Sequence, residues 1–191
     1  ERHIELVGRD IKELRFGYGL SGFTWLMHAL SNDGLYNGLD LSDFDEIDEY
    51  IFNSAEKYMQ KGIFNYLDGG LGMGLYFLEK KESNRSAAYL SEMVGQLGRL
   101  AVRCADGGIS WLDQYTSRYD NLPRKHRAYF NLGIPHGVVS IIYFLSKCYQ
   151  AGVAGQTCLQ LMRHTISWIG RREDATYGSF VFPNKGLQGE E

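Results

Sequence analysis

No run of this sequence is apolar for long enough to cross a bilayer: the longest, Val138 to Leu145, is interrupted by Ser140 and falls far short of the roughly 20 residues a spanning helix needs. Positive charge is not in excess either. Twenty basic residues against 23 acidic leave a net charge of −3, with no basic footprint for nucleic acid and no polybasic segment for anionic lipid. Cysteine is scarce: Cys104, Cys148 and Cys158 form neither an even set nor a C-x-x-C pair, a pattern that fits small core residues in a reducing cytoplasm. The first residues, Glu1-Arg2-His3, carry no initiator Met and no signal-peptide pattern, so the start reads as a boundary. What is present is a 191-residue chain with 44% hydrophobic and 23% charged residues, sufficient for one globular domain over 1–191 or for part of a larger one.

Two kinds of segment alternate. The first is amphipathic at helical spacing, marked by Ile4, Val7, Ile11 and Leu14, by Ile47, Ile51, Ala55 and Tyr58, by Leu90, Val94, Leu97, Ala101 and Cys104, and by Cys158, Met162, Thr165 and Ile169. These predict four helices with one buried face. Ser42 with Asp45 reads as an N-cap box, and Gly62 and Gly107-Gly108 sit where C-caps belong. The second kind opens on Gly19, Gly69 or Gly137, has Gly22, Gly72 or Ser140 three residues later, and then turns apolar nearly all round. Helices near 19–31, 69–81 and 137–150, buried on most sides, are expected from them. One amphipathic helix followed by one glycine-led helix, repeated, predicts an all-α protein: an α/α toroid of outer and inner helices, here an incomplete ring. The offsets between first glycines, 50 and 68 residues, make the repeat irregular. Asp106 to Trp111, Ala128 to Phe130 and Tyr177 to Pro183 read as short strands on one rim.

In such a ring the free N–H groups of inner-helix starts point into the central opening, so a site belongs there. Each glycine taken alone is explained as well by tight helix packing. His136 directly precedes the glycine of the third inner helix, where the positive end of the helix dipole favours a neutral imidazole able to accept a proton. Capping or simple burial remains the alternative for any one histidine among five.

Asn131-Leu-Gly-Ile-Pro-His-Gly-Val-Val-Ser-Ile-Ile-Tyr-Phe-Leu-Ser-Lys147 resembles the N-L-G-x-A-H-G-x-x-G segment of the LanC-type lanthionine synthetases, and the segments from Gly19 and Gly69 resemble that family's earlier repeats. Pro135 stands for the usual Ala and Ser140 for the usual Gly. The resemblance implies that His136 is a catalytic acid/base and that Tyr18, Gly69 and Gly137 line a peptide cavity. It also implies an Asp four positions before the second inner-helix glycine; here that position is Asn65, which hydrogen-bonds but takes no proton. Asp68, immediately before Gly69, is a candidate substitute whose simpler reading is an N-cap.

The implied activity is zinc-dependent addition of precursor-peptide Cys thiols to dehydroalanine or dehydrobutyrine, with a dehydratase as partner in lantibiotic biosynthesis. The resemblance places the zinc ligands, two Cys and one His, in W-C-x-G and C-H-G motifs. Neither motif occurs in these residues, no ligand role passes to the three cysteines, and the chain reads as an N-terminal part lacking them and inactive alone. Two other readings stand beside it: a toroid that binds peptide without cyclising it, and an α/α-toroid glycoside hydrolase with Asp68 and Asp106 as paired carboxylates. The acidic run Asp43 to Glu49 reads as the first turn of an outer helix. Arg124 to Arg127 reads as a solvated loop that could steer an acidic leader peptide.

Overall fold

Each glycine-led segment forms a helix that starts one residue after its first glycine. In the computed structural model, which describes residues 13–36, 41–80, 83–114, 129–134, 136–172 and 185–187, these are α1 (Leu20–Asn32), α3 (Gly70–Glu79) and α5 (Val138–Gln150). The amphipathic segments give α2 (Asp48–Gln60), α4 (Asn84–Leu100) and α6 (Gly155–Gly170). The segment from Ile4 to Ile11 lies outside the described residues, and Leu14 is non-helical. The protein is mostly helical.

Packing sorts the helices into two rows. α1 packs on α3 and α3 on α5; behind them α2 packs on α4 and α4 on α6, with α2 and α4 backing α3 and α6 backing α5. The helix at the centre is the most buried, with Leu71, Met73 and Tyr76 all fully inaccessible. Its glycines let neighbours approach: a methyl on Gly70 would stand 2.6 Å from the Ala55 carbonyl oxygen of α2, and one on Gly74 would stand 2.6 Å from the Phe144 ring of α5. α1 departs from the expectation of burial on most sides. It buries Ser21, Thr24 and His28 while Phe23 and Leu26 are 48% and 45% exposed, because among the described helices it has an inner-row neighbour on one side only. Its buried hydroxyls are satisfied locally, Ser21 donating to the Leu14 carbonyl and Thr24 to that of Leu20.

Several boundaries move. The helix expected to run through Cys104 stops at Leu100, where Ala101 turns extended at ψ 129°; Val102–Arg103 (β1) instead pairs antiparallel with Ile109–Ser110 (β2). Gly107, at φ +81°, serves the hairpin turn, its N–H donating to the Cys104 carbonyl, so the pair Gly107-Gly108 caps no helix. The Ser42 box does not start α2 either: Leu41–Ile47 forms a 3₁₀ helix and the α-helix begins at Asp48. Gly62 does end α2. At φ +68° it donates to the Met59 carbonyl while Ile63 N–H reaches Tyr58, the pairing of a Schellman cap. Tyr129–Asn131 (β3) pairs antiparallel with Lys185–Leu187 (β4); the strand expected over Tyr177 to Pro183 lies outside the described residues. No described helix is long and apolar enough to cross a membrane.

Candidate functional site

The three inner helices begin with one repeated piece of backbone. Gly19, Gly69 and Gly137 are the N-caps, all extended, with φ of −124°, −113° and −111°. Leu20 N–H donates to the Glu13 carbonyl and Gly70 N–H to that of Ile63, each seven residues back; Gly69 N–H donates to Asn65 and Gly137 N–H to Gly133, each four back. The preceding loop thus folds onto the cap glycine. A methyl on Gly19 would lie 2.5 Å from the Arg15 carbonyl oxygen, and one on Gly69 would lie 2.6 Å from those of Asn65 and Ile63. Gly22 and Gly72 meet the Phe16 and Tyr66 carbonyls in the same way, each six residues upstream. Close approach, and not an unusual φ, requires glycine here.

The starts are stitched side by side. Gly17 N–H donates to the Leu67 carbonyl at 2.9 Å, joining the first loop to the second. Tyr66 donates its hydroxyl to the Ser140 carbonyl at 2.5 Å, joining the second to the third, and burial pushes that phenol well above its ordinary range. The residues immediately before the caps, Tyr18, Asp68 and His136, therefore occupy equivalent places on neighbouring helices. Tyr18 donates to Asp68 Oδ1, and the neighbouring carboxylate pushes its phenol up to about 12. Arg15 reaches the same oxygen at 3.5 Å, lies 4.4 Å from the centre of the Tyr18 ring, and is anchored by Glu13 at 2.6 Å.

Asn65 is buried, and its Oδ1 accepts the Asp68 N–H at 2.6 Å. It braces the turn that carries Asp68. His136 is half-buried, and its loop is braced too: Asn131 Oδ1 accepts the Gly133 N–H and its Nδ2 donates to the buried Asp113 carboxylate, both at 2.8 Å. Sequence reasoning passed over Asn131 and Asp113 as positioning residues, although Asn131 opens the quoted segment.

Asp106 is built into a different element. Its carboxylate accepts the Gly108 N–H in the β1–β2 turn and pairs with Arg171 and Arg172 beyond α6, and these contacts, led by the Gly108 N–H, hold its pKa below the ordinary carboxylate value. That is a structural latch, so the pairing with Asp68 that a hydrolase requires gains no support. The cysteines do not fit zinc. All three are buried, burial raises the Cys148 and Cys158 thiols away from thiolate, and the described residues contain no group of three His, Cys, Asp or Glu suited to a metal ion.

A second polar cluster lies at the other end of the inner row. Lys80, the C-cap of α3, is buried against Asp48 Oδ2 at 2.7 Å and Asp45 Oδ1 at 2.5 Å, while Tyr76 donates to Asp48 Oδ1 at 2.7 Å. The acidic run that read as the first turn of an outer helix does supply Asp48 and Glu49 to the first turn of α2, and it also holds this buried partner. A groove of about 430 Å³ lies over the same run, lined by Asp45, Glu46, Glu49, Tyr50, Asn53 and Arg85. His28 of α1 packs 5.6 Å from the Tyr76 ring, and burial, followed by the Lys80 charge, lowers its pKa against the weaker pull of Asp48, Asp45 and Glu79.

A depressed folded pKa means the unfolded chain binds the proton more readily. Stability is therefore insensitive to His28 above the unfolded value of about 6.5 and falls as pH drops from there toward the folded pKa. Thermal unfolding between pH 7.5 and 5 should show His28→Gln with a flatter decline than the parent; equal slopes would remove His28 as the cause.

Two rows of helices, with glycine-capped inner starts carrying Tyr18, Asp68 and His136, define a helical repeat protein whose candidate site lies at one end of the inner row. The lanthionine synthetase C-like family model matches residues 3–185, and the chain belongs to that family. No curated protein sequence matches the chain.

Proposed function

We propose that the two helix rows are an arc of an α/α toroid and that their glycine-capped starts form the acid/base part of a peptide thioether-forming site. The observation carrying this reading is the family match over 3–185 together with His136, in Asn-Leu-Gly-Ile-Pro-His-Gly, directly before the N-cap glycine of α5. Thioether formation adds a Cys thiol across the double bond of a dehydroalanine or dehydrobutyrine: sulfur bonds the β-carbon, and the resulting enolate takes a proton at the α-carbon. His136 transfers a proton in this scheme and Asp68 is the second proton-transferring group, since Asn65 offers only an amide. Zinc, a precursor peptide and a partner dehydratase belong to the same reading.

The test is to incubate full-length protein with a dehydrated peptide carrying free thiols and to count alkylatable thiols by mass. Cyclisation removes thiols without changing the peptide's mass. His136→Ala should slow this by about 100-fold or more at unchanged melting temperature; full retention of thiols with the unmutated protein would sink the reading. Asn65 favours one competing reading, a toroid that binds peptide without cyclising it, which the same assay identifies as binding with every thiol retained.

A further inference from the structure

Tyr18 is 60% exposed, yet its hydroxyl is committed to a residue fifty positions away. It donates to Asp68 Oδ1, the oxygen that Arg15 also reaches at 3.5 Å. Asp68 is held from the other side of its own residue as well, through its backbone N–H to Asn65 Oδ1 at 2.6 Å. The Tyr18 and Arg15 contacts on the carboxylate both come from the loop that leads into α1. The carboxylate of the second inner-helix start is thus oriented by the first, across the seam that the Gly17 to Leu67 backbone bond closes at 2.9 Å. An exposed phenol is an uncommon structural support, because water competes for its hydroxyl; here the guanidinium 4.4 Å from its ring centre and the salt bridge from Arg15 to Glu13 hold it in place.

We propose that Tyr18 is a positioning residue of the site, fixing the Asp68 carboxylate at the junction of the first two inner helices so that Asp68 serves as the proton-transferring carboxylate beside His136. This rests on the thioether-forming reading above. Arg15 and Glu13 complete the device as the clamp on the Tyr18 ring. A phenol that accepts no burden beyond orienting Asp68 does not alter substrate affinity, so its loss falls on turnover.

Two measurements test the proposal on full-length protein. In the first, ring-labelled tyrosine is followed by carbon NMR as pH rises, with the Tyr18 signal assigned by its loss in Tyr18→Phe. Tyr18 should remain largely protonated at about pH 10, the ordinary phenol midpoint, and should ionise there in Asp68→Asn; an unchanged Tyr18 titration in Asp68→Asn overturns the proposal whatever the activity. In the second, Tyr18→Phe should lower kcat for thiol consumption at least 10-fold, leave KM within about twofold, and displace the acid limb of the kcat profile. Wild-type kcat and an unmoved profile in Tyr18→Phe also overturn it. Absence of thiol consumption by the unmutated protein counts against thioether formation itself, and the Tyr18 to Asp68 contact is then decided by the titration alone.

Discussion

Gly72→Ala is expected to destabilise the protein by about 3 kcal/mol, at the upper end of overpacking costs. The added methyl would overlap the Tyr66 carbonyl oxygen outright and stand 2.7 Å from Phe16 Cβ. Neither neighbour can yield cheaply. The carbonyl belongs to the loop that folds back onto the cap of α3, where Gly69 and Gly70 N–H groups bind Asn65 and Ile63, and Phe16 belongs to the equivalent loop of α1. α3 itself touches α1, α2, α4 and α5, so a shift of its first turn disturbs four contacts. Gly95→Ala in α4 is the contrasting substitution: its methyl would meet only the flexible end of Arg99, at 3.4 Å, and replacing a helical glycine there should gain about 0.5–1 kcal/mol. Urea unfolding of both variants reads the difference, about 4 kcal/mol between two helical glycines. Similar stabilities for the two would mean that the glycine-led starts are chosen for something other than close approach.

That contrast explains which parts of the molecule could be read from sequence. Gly19, Gly69 and Gly137 were legible because each position is filled by backbone of its own upstream loop, so the glycine is required in every copy and the copies align by eye. The amphipathic helices were legible because Ile51 and Ala55, or Leu90, Val94 and Leu97, are buried at helical spacing. The end of α4 was not, since Ala101 and Cys104 continue the spacing while Val102 and Arg103 leave the helix to pair with Ile109 and Ser110. Periodicity cannot register a strand pairing partner. At the site, the place of His136 before a cap followed from its own neighbours in sequence. The grip of Tyr18 and Arg15 on Asp68, and of Asp113 on Asn131, spans 50, 53 and 18 residues and depends on how the starts lie side by side. Lys80 left no distinctive trace, since it stands between Glu79 and Lys81 in a run of charge that follows the apolar part of the helix.

Lys80→Met should cost about 3–5 kcal/mol, the usual consequence of removing one partner from a buried ion pair. Asp48 is the reason. Its side chain is 2% exposed, and without the ammonium its carboxylate keeps, among the described residues, only the Tyr76 hydroxyl at 2.7 Å. Asp45 contributes little to the loss, because at 57% side-chain exposure it can turn to water. Adding Asp48→Asn removes the uncompensated charge and still offers Tyr76 an acceptor, so the double variant should recover at least half of the loss; additive losses would deny the coupling. The same substitution changes how the protein responds to acid. Lys80 is the leading electrostatic opponent of a charged His28, and Asp48 and Asp45 oppose it from the other side. With the ammonium gone, the two carboxylates favour the imidazolium, leaving burial as its main opponent. Below pH 6.5 the loss of stability attributable to His28 should then shrink in Lys80→Met, and a decline as steep as in the parent would show that burial alone, without Lys80, governs His28.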